Sequence, residues 1–147
     1  MVVKTFRGQL AHGGQDRIRL HTTQGKVGYQ IKKFQVMPPV MGGASSESCV
    51  KIFKTNQTAV TATVDFTDLS LLAAAQISNH TSGYIYPPDA TIIFDNQVVN
   101  QDIYITNQDN AGSEACNYYL ELEVIPLSDL GAEYTTLKDI RTQLQIS

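Results

Sequence analysis

The feature that most restricts this chain is an alternation of apolar and polar residues that repeats along most of its length. Tyr118, Leu120, Leu122 and Val124 alternate with Tyr119, Glu121 and Glu123. Ile18 and Leu20 alternate with Arg17, Arg19 and His21, and Val60, Ala62, Val64 and Phe66 share one parity. Successive side chains of an extended chain point to opposite faces, so this pattern predicts strands with one buried and one wet face. Turn chemistry separates the runs: His12-Gly13-Gly14, Thr22-Thr23-Gln24-Gly25 (read as a hairpin turn), Asp65 to Asp68, and the polar stretch Asn107 to Asn117. About eight short strands, with a turn signal roughly every 8 to 15 residues, predict an all-β fold, an antiparallel, jelly-roll-like β-sandwich.

Individual runs carry finer expectations. In Val27, Tyr29, Ile31, then Phe34 and Val36, the apolar parity switches at Lys32-Lys33. Such a switch predicts a β-bulge or a strand crossing between sheets. Met37-Pro38-Pro39 ends that strand, because proline donates nothing to a ladder. A loop rich in Gly, Ala and Ser follows from Val40 to Ser48. Further strands are expected at Cys49 to Lys54, Ala59 to Phe66, Ala90 to Phe94, Gln101 to Thr106 and Tyr118 to Ile125. Leu69 to Ala75 reads equally as a helical turn or a buried strand. Val60, Val64, Phe66, Leu120, Leu122 and Val124 are the expected core.

The period changes near the C-terminus. Tyr134, Leu137, Ile140 and Leu144 recur at steps of three and four, which predicts an amphipathic helix over about 133–145. Lys138 and Arg141 fall where cations favour the helix dipole. A helix this short is not stable alone, so it must pack on its own sheet or on a neighbour.

A length of 147 residues is that of one domain, here residues 1–147. With a net charge of −3 and scattered Lys and Arg, the basic face of a nucleic-acid binder is missing, and no direct nucleic-acid contact is expected. No apolar stretch approaches the roughly 18 residues of a membrane span, so no membrane contact is expected. The apolar run at Met1 to Val3 is too short for a signal peptide, which points to synthesis in the cytoplasm. Cys49 and Cys116 match neither a zinc site nor a CxxC pair and read as reduced core residues.

The candidate chemistry is sparse, and no catalytic, cofactor or metal residues are assigned. His12 and His21 are close enough in sequence to meet across a hairpin, but no third ligand accompanies them, and His80 lies apart. Ser45, Ser46 and Ser48 sit in a loop without an oriented base, and His12-Gly13-Gly14 lacks a phosphate-loop pattern. Glu121 and Glu123 read as one solvated strand face. Asp95-Asn96, Asn100-Gln101-Asp102 and Asp109-Asn110 offer oxygens for calcium but lack EF-hand spacing. Tyr84 and Tyr86 are the candidate platforms for a sugar, in a chain with no Trp.

Several stretches resemble small virion structural proteins of tailed, particularly marine, bacteriophages. They are Gln15-Asp16-Arg17-Ile18, Gly28-Tyr29-Gln30-Ile31-Lys32-Lys33-Phe34-Gln35, Ile93-Phe94-Asp95, Gln101-Asp102-Ile103-Tyr104-Ile105 and Asn117-Tyr118-Tyr119-Leu120-Glu121-Leu122-Glu123. The resemblance implies a β-sandwich that assembles into a virion without catalysis. Its expected partners are other virion proteins, the major capsid protein or a neck or tail protein, together with copies of itself as a homo-oligomer. Capsid decoration is the leading expectation, a neck or tail component the second, and a carbohydrate-binding module the rival from another class. The expected contact residues are Met37, Met41, Gly42 and Gly43 in and before the Gly-rich loop, Tyr84 and Tyr86, and Leu137, Ile140 and Leu144 on the helix. Loops on a rigid scaffold concentrate binding residues, and the methionines offer adaptable apolar contacts.

Overall fold

Most of the alternating runs form strands, and the clearest case, Cys116–Pro126, buries one parity along much of its length. The computed structural model describes residues 2–22, 25–40, 43, 45–79, 90–128 and 135–140. Its strands are β1 (Val2–Leu10), β2 (Gln15–Ile18), β3 (Val27–Met37), β4 (Ser46–Phe53), β5 (Leu71–Asn79), β6 (Ala90–Phe94), β7 (Ile103–Asp109) and β8 (Cys116–Pro126). They make two antiparallel sheets, ordered β1-β8-β3 and β2-β7-β4-β5-β6. Placing strands 1, 8 and 3 in one sheet and 2, 7, 4 and 5 in the other is jelly-roll order. The sixth strand extends the larger sheet instead of returning to β3. Among the described residues, Val99, beyond it, rejoins β3 by a two-bond bridge to Tyr29.

The two sheets enclose one core. Val50, Ile52, Ile103 and Ile105 from the larger sheet meet Phe34, Leu120 and Leu122 from the smaller, all 5% exposed or less. Cys49 and Cys116 are both buried with free thiols. The parity switch in β3 is a bulge, with the register against β8 shifting between Ile31 and Lys33. Tyr118 crosses the core beneath Gly8, where an added Cβ would lie 2.9 Å from the Tyr118 hydroxyl oxygen.

Antiparallel pairing collects the strand ends at two poles. Leu10, Met37, Ser46, Asp109 and Cys116 lie at one, called here the Met37 pole. Val27, Phe53, Leu71, Phe94, Ile103 and Pro126 lie at the other, where the helix of residues 135–140 packs. Along the 11 residues of β3 the poles are roughly 30 Å apart at about 3.3 Å per residue.

Three expectations change, and one open reading resolves. Thr22 to Gly25 is not a hairpin, because β2 and β3 belong to different sheets. Gly25 does close a turn there, at φ +63°, with its N–H donating to the Thr22 carbonyl. The Gly-rich loop ends earlier than expected, since β4 starts at Ser46 and buries Ser46 and Ser48. Leu69 to Ala75 resolves into a turn at Leu69-Ser70 and the first half of β5.

The third change concerns Ala59 to Phe66, which is not a strand. Val60, Ala62 and Val64 are half-buried and the residues between them exposed, so the alternation is real, but no ladder forms. This extended segment lies against the outer face of the larger sheet. Lys51, on that face of β4, donates from Nζ to the Thr63 carbonyl at 2.6 Å and to Thr61 Oγ1 at 3.3 Å. Burial pushes the Lys51 pKa down. Phe66 is 69% exposed and Val124 half-buried, so of the six expected core residues only Leu120 and Leu122 are fully buried. Among the described residues no helix is long and apolar enough to cross a membrane.

Candidate functional site

The helix is docked by its polar side. Thr135 and Asp139 are buried, whereas Leu137 and Ile140 are 61% and 41% exposed. The buried seat is a cluster around Asn100, itself inaccessible. Its Nδ2 donates to Thr136 Oγ1 at 2.6 Å and to the Gly25 carbonyl at 3.1 Å, and its backbone N–H donates to Asp139 Oδ2 at 3.2 Å. The other carboxylate oxygen, Oδ1, faces the Lys54 ammonium at 3.5 Å, an ion-pair distance rather than a directed hydrogen bond. Burial pushes the Asp139 pKa up against the pull of Lys54. The same burial pushes Lys54 down against the pull of Asp139. Of the expected apolar stripe, Leu137 and Ile140 lie among the described residues, and both point outward.

More apolar surface lies at this pole. Phe66, Ile93 and Phe94 line a groove of about 190 Å³ with Leu71 and Leu72 as part of its floor. Phe66, Ile93 and Phe94 are 69%, 51% and 39% exposed, and nearby Leu69 is 62% exposed. Sequence reasoning missed these residues because period two assigned Phe66 to the core and gave Ile93-Phe94 no partner surface. The available signal was Ile92-Ile93-Phe94, three consecutive apolar residues, which cannot all share one buried face.

The Met37 pole carries two of the other expected contacts, Met37 and Gly43. Met37 and Val40 are 62% and 64% exposed. Gly43 is exposed and closes a turn through its N–H to the Val40 carbonyl at 3.1 Å. Asn79 Nδ2 donates to the same carbonyl at 3.0 Å and ties this loop to β5. Beside it, Arg7, Gln35, Met37, Asn117 and Tyr119 line a groove of about 500 Å³ across the end of the smaller sheet. Met37 and Gly43 thus lie at the pole opposite Leu137 and Ile140. Met41, Gly42, Tyr84, Tyr86 and Leu144 lie outside the described residues, as do the ends of the expected 133–145 helix.

Two candidate calcium ligands have other work. Asp102 Oδ1 accepts the backbone N–H groups of Leu20 and His21 at 2.8 and 2.9 Å, and its Oδ2 accepts Arg17 Nε at 2.7 Å. Asp109 Oδ1 accepts N–H groups of Glu47 and Ala111, and Oδ2 that of Glu114, each at 2.9 Å. Burial pushes both carboxyls up, yet these donors outweigh it and hold both pKa values below the ordinary one. Oxygens aimed at N–H donors present no lone-pair cage to a cation. The pair instead fastens one connection at each pole, on either end of β7. His12 Nδ1 accepts the Asp109 N–H at 3.1 Å, while His21 stands by Asp102 at the other pole, so these histidines do not meet. His80 lies outside the described residues. Glu123 pairs with Lys32 at 3.0 Å, and Glu121 accepts the Tyr119 hydroxyl at 3.0 Å, as members of a charged outer strand face.

In comparisons with known proteins, no family model, no curated protein and no solved structure matches this chain.

Proposed function

We propose that this chain is a non-enzymatic structural protein that binds a tailed-phage particle in many copies, with capsid decoration as its role. The observation that carries the reading is the helix: a buried polar cluster holds it in place while Leu137 and Ile140 face solvent. A surface helix normally turns its apolar stripe inward. Fixing it the other way round leaves two apolar side chains on a rigid mount, an arrangement suited to seating on another protein. The jelly-roll topology and the sequence resemblance described above support the same reading. Fold alone does not assign function, because jelly rolls serve both capsid and lectin domains.

The test compares wild type with Leu137→Ser/Ile140→Ser in a virion-binding assay, alongside quantification of the chain in purified virions. The exposed changes should leave stability within about 0.5 kcal/mol. Binding should weaken at least about tenfold, as for truncated interface anchors. A chain absent from purified virions, or a variant that binds like wild type, overturns the reading. A second reading is favoured by the groove at the Met37 pole, whose Arg7, Gln35, Asn117 and Tyr119 suit a sugar's hydroxyls and ring face. Binding on a glycan array that Tyr119→Ala abolishes would select it.

A further inference from the structure

A two-sheet sandwich has four sheet edges, and an open edge is a template for another strand unless something blocks it. Three edges of this one are blocked. β1 carries Lys4 and Arg7, so its pairing with a second copy would bring like charges together. β3 carries Lys32, Lys33 and the bulge, and Val99 bridges it at Tyr29. β2 has only four residues, and its Gln15 side chain is tied to Asn56 and to the backbone of Gln57.

β6, at five residues little longer than β2, lacks the charges, the bulge and the side-chain tie of the other edges. Its sequence is Ala90-Thr91-Ile92-Ile93-Phe94, without charge, proline, glycine or bulge. β5 occupies one side, and among the described residues no strand pairs with the other. Ile93 and Phe94 of this strand are exposed.

We infer that the far edge of β6 is a self-association surface, on which two copies pair antiparallel about a two-fold axis through Ile92. The five residues then overlap completely, Ala90 opposite Phe94 and Thr91 opposite Ile93. Residues paired in this way have equal parity, so both copies keep their core faces on the same side of one ten-stranded sheet. The strand brings no charge to the axis. Ile93 and Phe94, both exposed, add apolar area beyond the ladder, which the backbone pairing of five residues alone would supply poorly. An isologous contact of this kind closes at two copies and leaves both poles free. The inference does not depend on the particle-bound reading.

The experiment is sedimentation velocity on the purified chain over a concentration series, with two variants. Thr91→Lys/Ile93→Lys sets lysines opposite lysines across the axis, and Thr91→Glu/Ile93→Glu does the same with glutamates. Thr91 and Ile93 are exposed, so both variants should melt like wild type. Wild type should dimerise, each variant alone should bind itself at least about tenfold more weakly, and an equimolar mixture should regain the dimer. A wild type that is monomeric up to its solubility limit overturns the inference. Variants that dimerise undiminished, or a mixture that stays monomeric, overturn it equally. Only the isolated chain is needed, so failure here leaves the particle-bound reading standing, and failure of virion binding leaves this one.

Discussion

Replacing Lys54 by Met would test whether the helix is held by the buried charge pair. Lys54 and Asp139 side chains are 3% and 1% exposed, so solvent screens their interaction little. Removing one partner of such a pair costs about 3–5 kcal/mol, because the other charge stays buried without compensation. The lower end, about 3 kcal/mol, applies here, since the Asn100 N–H still supports the Asp139 carboxylate. Asp139→Leu should cost a similar amount by leaving the ammonium buried without its carboxylate. If the two residues acted independently, Lys54→Met/Asp139→Leu would cost about 6 kcal/mol. The pair reading expects only about 1–3 kcal/mol, the penalty for leaving the Asn100 N–H without an acceptor. Urea denaturation of the four proteins gives this cycle directly.

The pH dependence provides a second check. Without Lys54, burial of the Asp139 carboxyl is opposed by the Asn100 N–H and Lys138 but no longer by the facing ammonium, and its folded pKa rises further above its unfolded value. A raised pKa means the folded state holds the proton more tightly than the unfolded state. The deficit of Lys54→Met should therefore be small below the unfolded carboxylate pKa and grow as pH rises through the folded one. A deficit below about 0.5 kcal/mol at neutral pH, one independent of pH, or a double variant as unstable as the sum, would refute the clamp.

Leu122→Ala should cost about 2–5 kcal/mol, whereas Phe66→Ala should change stability by less than about 0.5 kcal/mol; equal costs in a melt would contradict the burial assigned to them. Gly25→Ala should destabilise by about 1–3 kcal/mol, because φ is +63° and the new Cβ would approach Asn100 Nδ2 to 3.2 Å. Burial pushes the Cys116 thiol up to about 11, so in non-reducing buffer two thiols should titrate rapidly after denaturation and slowly before it; fewer than two on denaturation, or fast reaction when folded, would refute this. Asp109 has a depressed folded pKa, so its contribution is present above the unfolded carboxylate value and lost as pH falls through the folded one. Asp109→Asn should accordingly flatten the acid limb of the stability profile, and an unchanged limb would count against the assigned hydrogen bonds.

The alternation in this chain specified strands better than it specified neighbours. It located β3 with its bulge and the buried face of β8, because each is a local consequence of side-chain parity. It misread Ala59 to Phe66 because period two reports an extended chain half-buried on one side, whether or not a ladder forms. The partner that lays this segment on the sheet is Lys51, a residue whose charge predicts exposure. For the helix the choice between its own sheet and a neighbour stayed open. Its stripe was legible, but its orientation depended on Asn100, Gly25 and Lys54, which approach it only through long-range folding. Burial of polar residues in a cluster has no periodicity to read.

The placement of the expected contact residues constrains any assembly built from them. Met37 and Gly43 stand at one pole and Leu137 and Ile140 at the other, separated by the length of β3. A flat partner surface cannot touch both groups of one copy at once. Interfaces of the usual size bury about 800 Å² per partner, so each pole must recruit surface of its own. At the helix pole Phe66 and Leu69 can add to Leu137 and Ile140; at the Met37 pole the supply is Val40 and the groove beside Tyr119. The helix pole is therefore the more apolar and the better suited to a permanent seat. The Met37 pole, lined by Arg7, Gln35, Asn117 and Tyr119, is suited to a wetter and more readily reversible contact. If β6 joins two copies at their sides, both helix poles of the pair remain available, and two weak seats act together through effective concentration. Disrupting the β6 edge should then weaken particle binding even though no residue of the seat has changed.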